Sequence, residues 1–349
     1  MNMICRWSVL VCAMGCLAPL RVAHGDGQRD FDFSVGTFAT HVSRLAKPLS
    51  GSKQQLEYDG VSVVSEVWGG RANLLELDVQ GPSGRIQGVG LRLYNPKSQQ
   101  WSLNWANGDD GVMTPPMRGE FRDGRGDFFD HEMFGGRGIL VHNSFTEITK
   151  KSSRFEQAFS ADGGRTWEPN WVMKFQRSRK GAHATKAPAN AAVPGNVSHD
   201  FDFDFGTWTL RGSRLQKPLT GSISWEDFEG RVVVRKIWNG RANLAEVTVK
   251  GKAGVTEILS LRLYNPETKQ WRMHFAQAES GVLGPPMIGE FKDGRGQFYS
   301  IEPYGDRTIL VRFVFVPLTA DSARSEQAFS EDGGKTWEVN WVNNYSRTR

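Results

Sequence analysis

Short stretches in which apolar and polar residues alternate recur along the chain from residue 30 onward. Val61–Trp68 and Arg231–Trp238 are rich in β-branched residues and bounded by glycine, which is typical of strands. Leu91–Tyr94 and Trp101–Trp105 alternate with a period of two on either side of an Asn-Pro turn, as in a hairpin. No run of ten or more residues has helical periodicity. The pattern therefore predicts strands and turns only.

The pattern occurs twice. Glu156–Trp171 returns as Glu326–Trp341 with 13 of 16 positions identical, and an offset of 170 residues aligns 30–177 with 200–347 without a gap. Each copy contains about ten predicted strands, a number that favours a closed antiparallel sheet. The predicted fold class is all-β, with two antiparallel β-barrels in tandem.

The repeat also sets the predicted domain boundaries. The first barrel covers residues 30–176 and the second covers 200–349. Residues 177–199 are rich in alanine, proline and basic residues and have no apolar period, so they are predicted to form a flexible linker. Barrels joined in this way can move independently unless they share an interface, which the sequence does not reveal.

The first 25 residues have the order of a secretory signal peptide. Arg6 precedes an apolar run, and small residues at Ala23 and Gly25 come before the acidic Asp26. The run is too short to span a bilayer. We therefore predict a secreted or periplasmic protein whose mature chain has no transmembrane helix. Anchoring as a lipoprotein through Cys16 is the less favoured alternative, because Met14 fits that processing site poorly.

The cysteine content and the charge distribution exclude some kinds of site and argue against one class of partner. All three cysteines lie within the predicted signal peptide, so a mature chain would have no disulfide, thiolate metal site or cysteine nucleophile. The net charge falls from +5 to +3 when Arg6 and Arg21 are removed with that segment. The remaining basic residues are dispersed, which argues against nucleic acid as a partner despite the basic composition.

One motif suggests a glycosidase. Ser160-x-Asp162-x-Gly164-x-Thr166-Trp167 matches the Asp-box pattern of sialidases. A propeller would repeat this motif in every blade of about 40–50 residues, whereas here it occurs once in 170. The favoured interpretation is a hairpin in which Asp162 accepts hydrogen bonds from the backbone of its own turn and Trp167 packs beneath it.

Several motifs of the repeat resemble an uncharacterised bacterial family of calycin-like domains, similar in fold to lipocalin and nitrobindin barrels. They are G-T-[FW], L-R-L-Y-N-P followed by Trp, P-P-M-x-G-E-F-x-D-G-R-G-x-F and E-Q-A-F-S-x-D-G-G-x-T-W-E-x-N-W. The resemblance covers essentially all of each copy. It implies two tandem calycin-like barrels, each closed on an interior that is packed with side chains or holds one small ligand.

Polar residues that both copies place on predicted strands are the candidates for ligand binding. Arg154 and Glu156 are two residues apart and share a face, so an inward orientation would create a buried ion pair able to orient a polar ligand group. The alternative is a structural ion pair or an outer-surface position. The candidates are Arg71, Glu76, Arg92, Arg154 and Glu156, with their counterparts Arg241, Glu246, Arg262, Arg324 and Glu326.

No cofactor is predicted. The resemblance to nitrobindin suggests haem, which would need a histidine in the pocket. No histidine is shared by the two copies, which also argues against a repeated histidine metal site or Ser-His-Asp triad. The corresponding pairs are His41/Arg211, His131/Ile301, His142/Arg312 and Asn104/His274.

The predicted function is a tandem barrel that binds a small, partly apolar ligand. One alternative is a lipocalin-like enzyme in which Glu156 or Glu76 acts as acid or base beside an arginine. The lack of a repeated histidine, cysteine or recognisable nucleophile favours binding over catalysis. The other alternative is a purely structural role.

Overall fold

Each repeat folds into a closed antiparallel barrel of ten strands, as predicted. The computed structural model describes residues 27–108, 110–178, 198–252 and 254–348. The predicted signal peptide and most of the predicted linker lie outside the described residues. Within them, no helix has the length and apolar character needed to span a membrane.

The first barrel is a meander in which each strand pairs with the next and the last pairs with the first. Two 3-10 turns, Asp32–Ser34 and Trp68–Gly70, flank the first two strands. The strands are β1 Gly36–Leu45, β2 Gln55–Val67, β3 Ala72–Gly81, β4 Gly84–Asn95, β5 Gln100–Asn107, β6 Met117–Arg122, β7 Arg125–Phe134, β8 Arg137–Thr146, β9 Ser152–Ser160 and β10 Glu168–Arg177.

The second barrel repeats this order, with one additional two-residue strand, β16, paired with β15. The 3-10 turns recur at Asp202–Asp204 and Trp238–Gly240. The strands are β11 Gly206–Leu215, β12 Trp225–Ile237, β13 Ala242–Gly251, β14 Gly254–Asn265, β15 Gln270–Gln277, β16 Val282–Leu283, β17 Met287–Lys292, β18 Arg295–Tyr304, β19 Arg307–Thr319, β20 Ser322–Ser330 and β21 Glu338–Arg347.

Aromatic side chains form much of each barrel interior. Phe31, just before β1, is 1% exposed and contacts the rings of Trp101, Phe121 and Phe145 at centroid distances of 5.0, 4.8 and 5.2 Å. Phe201 occupies the equivalent place in the second barrel and is also 1% exposed. The edge-to-face geometry of these rings adds to the stabilisation from apolar burial.

The two barrels share a hydrophobic interface. Side chains on the outer faces of β3, β4 and β5 form one buried cluster with their counterparts on β13, β14 and β15. A strand exposes alternate residues to opposite faces, so these apolar positions interleave with the residues that point into each barrel. The principal members are Leu74, Val89, Leu91, Leu93, Leu244, Leu259, Leu261 and Leu263, all 0% exposed.

Polar contacts across this interface relate equivalent positions of the two repeats. Arg71 forms an ion pair with Glu257, and Arg241 donates from Nη2 to Oε1 of Gln87, the counterpart of Glu257, at 2.6 Å. Position 65 meets its own counterpart, because Arg235 Nη1 donates to Ser65 Oγ at 2.9 Å. The interface is therefore isologous, like that of a two-fold dimer held within one chain. A large apolar contact of this kind opposes independent motion of the barrels.

Candidate functional site

An arginine and an asparagine face the interior at the same place in each barrel. Asn73 on β3 lies opposite Arg92 on β4, and Asn243 on β13 lies opposite Arg262 on β14. All four side chains are buried. Their strand neighbours are the leucines of the interface, so strand alternation directs the polar side chains to the barrel interior. Both arginines were candidates from the sequence.

Arg92 lies between aromatic rings and neutral polar groups. Its guanidinium carbon is 4.5 Å from the ring centroid of Phe31 and 5.3 Å from that of Phe145. Nη1 donates to Ser34 Oγ at 3.0 Å and to Asn73 Oδ1 at 3.3 Å. Burial lowers the pKa of Arg92 to about 9, because the charged form is removed from water.

Arg262 has the same aromatic surroundings but a different polar partner. Its guanidinium carbon is 4.5 Å from the ring of Phe201 and 5.7 Å from that of Phe315. Nη1 forms an ion pair with Asp204, and the side chains are only 9% and 4% exposed. The second barrel thus neutralises its buried arginine with a carboxylate of its own.

Next to this pair, the second barrel contains buried polar atoms without partners among the described residues. They are both amide atoms of Asn243, the hydroxyl of Ser260 and Nε of Arg262. Ser260 lies two residues before Arg262 on β14 and so shares its inward face. Each unsatisfied buried polar group costs roughly 1–3 kcal/mol. A water molecule or a polar ligand group at this point would remove that cost.

The opposite wall of the second barrel is also polar. Asn343 Nδ2 donates to Ser325 Oγ at 2.9 Å, and the Ser325 hydroxyl is 2.9 Å from Tyr345 Oη. Burial raises the pKa of Tyr345 to about 12. The first barrel has large apolar residues at the three equivalent positions, namely Phe155, Met173 and Phe175. The two interiors therefore differ in chemistry although their folds are the same.

The candidates Arg71, Glu76 and Arg241 lie at the interface between the barrels. Arg241 Nη1 donates to the carbonyl of Gly108 at 2.8 Å, and Glu76 Oε2 accepts from the backbone N–H of Trp238 at 2.9 Å. Glu246 occupies the position on β13 that corresponds to Glu76. Arg71, Glu76 and Arg241 bridge the two barrels and face away from their interiors.

The candidates on β9 and β20 lie on the outer face. Phe155, between Arg154 and Glu156, belongs to the interior cluster, so its two neighbours point outward. Arg154 and Glu156 form a half-buried ion pair, and Arg324 and Glu326 approach to 3.8 Å. Arg154 and Glu156 could orient a ligand inside the barrel only if they pointed inward. They do not, because strand alternation places Phe155 on the inward face.

The Asp-box turn has the predicted local role. Asp162 Oδ1 accepts from Ser160 Oγ at 2.8 Å and from the backbone N–H of Thr166 at 2.9 Å, and Oδ2 accepts from Thr166 Oγ1 at 2.7 Å. The backbone and side-chain hydrogen bonds from Thr166 lower the pKa of Asp162 to about 2. Asp332 makes the same contacts in the second copy. The carboxylate organises the β9–β10 connection.

The histidines on the strands lie outside the barrel interiors. His41 is 2.8 Å from Asp59 and His142 is 2.7 Å from Asp127, each on an exposed or half-buried outer face. His274 is buried beside Gly284, and burial lowers its pKa to about 4. Among the described residues, no group of three or more histidine, cysteine or acidic side chains is placed to hold a metal ion.

An open groove of about 700 Å³ lies on the outer face of β11–β13. Its lining includes Arg211, Glu229 and Lys250, so it carries both charges. The first-barrel residues at the first two positions are His41 and Asp59, which pair with each other. The charged residues that line this groove therefore differ from those at the equivalent positions of the first copy, whereas the interior arginine and asparagine are common to both.

No protein-family model matches the chain, and no curated protein matches it. The chain is similar to the solved structure of an S-type phycobiliprotein lyase from Guillardia theta, at 12% identity over 43% of this chain and 90% of that chain, with a TM-score of 0.30. A protein of unknown function of the DUF3598 family from Nostoc punctiforme is 9% identical over 93% of this chain and 100% of that chain, with a TM-score of 0.25. These likenesses assign neither a family nor a ligand.

Proposed function

We propose that this protein binds a small, partly apolar molecule inside its barrels, with Arg92 and Arg262 as polar anchors. The observation that carries the proposal is the buried arginine–asparagine pair at the same inward position of both repeats, surrounded by aromatic rings. Ligand pockets commonly combine apolar walls with a few fixed polar groups. The unpartnered atoms of Asn243, Ser260 and Arg262 add hydrogen-bonding capacity in the second barrel.

The size of the barrels supports this proposal. Barrel diameter grows with strand number, and about eight strands already suffice to hold one small ligand. Each barrel here has ten strands. Bulky aromatic residues occupy part of that space, so the ligand would be small. We further propose, from the N-terminal sequence alone, that the mature protein acts in the periplasm or outside the cell.

Native mass spectrometry of the protein purified from its own host tests the proposal. A co-purifying small molecule should be present in the wild type and lost from Arg92→Met/Arg262→Met. The control is Arg154→Met/Arg324→Met, which removes the same charges from the outer face and should retain the molecule. Absence of a bound mass, together with no thermal shift across a library of small metabolites, would overturn the proposed function.

A further inference from the structure

One position differs between the repeats at the point where each buried arginine makes its main polar contact. Ser34 and Asp204 are related by the 170-residue offset and end equivalent 3-10 turns. Arg92 Nη1 donates to Ser34 Oγ, and Arg262 Nη1 donates to an Asp204 carboxylate oxygen. The same guanidinium nitrogen therefore meets a neutral hydroxyl in one barrel and a carboxylate in the other.

This difference leaves the buried cation Arg92 without a carboxylate partner among the described residues. The two side chains that accept hydrogen bonds from Arg92, Ser34 and Asn73, are both neutral. Within the described part of the chain, no carboxylate forms an ion pair with Arg92, which is 5% exposed. A buried charge without a partner is costly, and a bound carboxylate would offset that cost with charge-assisted hydrogen bonds.

The side chains on the barrel wall around the arginine are also less polar in the first barrel than in the second. The first barrel places Phe155, Met173 and Phe175 in its interior cluster. The second barrel replaces them with the hydrogen-bonded Ser325, Asn343 and Tyr345. An apolar wall facing an uncompensated cation suits a molecule that has an anionic head and an apolar body.

We infer that the first barrel binds an amphipathic monocarboxylate through Arg92, and that Asp204 prevents the second barrel from doing so by occupying the place of the ligand carboxylate. The inference rests on the proposed function and specifies its ligand class for one barrel. In this view, the residue at the equivalent positions 34 and 204 determines which barrel accepts an anion.

Isothermal titration calorimetry of the full chain with dodecanoate, and with dodecanamide as the uncharged match, tests this inference. Wild type should bind one dodecanoate per chain, at least about tenfold more tightly than the amide, because a charge-assisted hydrogen bond contributes about 1.5–3 kcal/mol. Equal affinities for the two probes would overturn the carboxylate assignment and leave the proposed function standing. Binding of neither probe would overturn the assignment as well, while the co-purification experiment would still decide the proposed function.

A variant at position 34 tests whether a carboxylate next to Arg92 prevents binding, and a control variant tests the effect of an added negative charge elsewhere. Ser34→Asp should weaken dodecanoate binding at least about tenfold, because it gives Arg92 a carboxylate partner within the chain. The control Ser83→Asp adds the same charge at the exposed β3–β4 turn and should bind like wild type. Unchanged binding by Ser34→Asp would contradict the assignment.

The reciprocal variant is Asp204→Ser, which gives Arg262 the same kind of hydroxyl partner that Arg92 has in the first barrel. It should raise the stoichiometry from one dodecanoate per chain to two. A stoichiometry that stays at one in a folded variant would overturn the role of Asp204 as the excluding residue. Ser34→Asp remains decisive for the first barrel if Asp204→Ser does not fold.

Discussion

At the scale of single residues, Ser34 and Asp204 show how one substitution changes the electrostatics of a buried site. Each contacts Nη1 of an inward arginine. Asp204 forms an ion pair that is almost fully removed from solvent, whereas the outer-face pair Arg324–Glu326 is 47% and 24% exposed. Removing one partner of a buried pair leaves an uncompensated charge, while exposed pairs contribute little.

We expect Asp204→Asn to lower the free energy of unfolding by about 3–5 kcal/mol, because Arg262 would lose its counter-ion while remaining buried. The measurement is urea unfolding followed by tryptophan fluorescence. The matched control Glu326→Gln removes a carboxylate from a partly exposed pair and should cost about 0–1 kcal/mol. Similar small losses for both variants would show that the buried pair contributes no more than a surface pair.

At the scale of elements, the start of β1 depends on an arginine from β10. Gly36 has φ of +124°, and a Cβ at this position would lie 2.6 Å from Nη1 of Arg177. That guanidinium donates from Nη1 to the carbonyl of Val35 at 2.6 Å and from Nη2 to that of Phe33 at 2.7 Å. A side chain of the last strand of this barrel thus lies close against the backbone at Gly36.

Gly36→Ala should destabilise the protein by roughly 1–3 kcal/mol from backbone strain, with an added cost from the clash with Arg177. Thermal unfolding measures the total. Gly84→Ala is the control, because Gly84 has a similar φ of +112° but nothing within 4 Å of a Cβ. If both variants are destabilised equally, the clash with Arg177 adds no cost to the backbone strain that both substitutions cause.

The Asp-box turns should make stability depend on pH in the acid range. The folded-state pKa of Asp162 and of Asp332 is lowered from 3.8 to about 2, so their contribution is fully present above 3.8 and is lost as the pH falls through about 2. Asp162→Ala/Asp332→Ala should therefore have a lower Tm than wild type at pH 6. The difference should shrink below pH 3.8 and be mostly lost as the pH falls to about 2.

Thermal unfolding of both proteins across this pH range provides the measurement for the Asp-box prediction. Asp306→Ala serves as the control because it removes an exposed carboxylate from another strand connection, between β18 and β19. A Tm difference that persists unchanged at pH 2 would contradict the prediction, since about half of each carboxylate would then be protonated in the folded state.

At the scale of the whole molecule, the tandem repeat is an internal dimer. The leucines on the outer faces of β3, β4, β13 and β14 are fully buried between the barrels. Equivalent positions meet across the interface, as Ser65 and Arg235 do. Each barrel alone would expose this apolar surface to water.

We expect residues 27–178, expressed alone, to form a homodimer through the same surface, because the interface is isologous and the first repeat carries its own copy of it. Analytical ultracentrifugation over a range of concentrations measures this association. Leu74→Asp in the same fragment should yield a monomer, while Leu140→Asp, on the exposed outer face of β8, should still dimerise. A folded wild-type fragment that stays monomeric at all concentrations would contradict the prediction.

Alternation along the strands was sufficient to predict the fold class, and the Asp-box motif was sufficient to place the hairpin between β9 and β10. The sequence also singled out Arg92 and Arg262 as candidates, because both copies retain them. It did not indicate Ser260, because the first copy has Gly90 at the equivalent position and the two copies therefore share no polar residue there. The sequence also contains differences between the copies, such as Ser34 against Asp204. Their effect on the buried arginines follows only from the contacts in the folded protein.

By itself, the sequence determined the repeat, the two all-β domains and the local structure of the turns, because these depend on the period of apolar residues and on backbone preferences over a few positions. Only the tertiary structure decided which face of each strand points inward. That placed Arg154 and Glu156 outside, Arg71 and Glu76 between the barrels, and Arg92 and Arg262 in the interiors. Closure of a barrel selects one face of every strand at once, so the assignment depends on residues far apart in the chain.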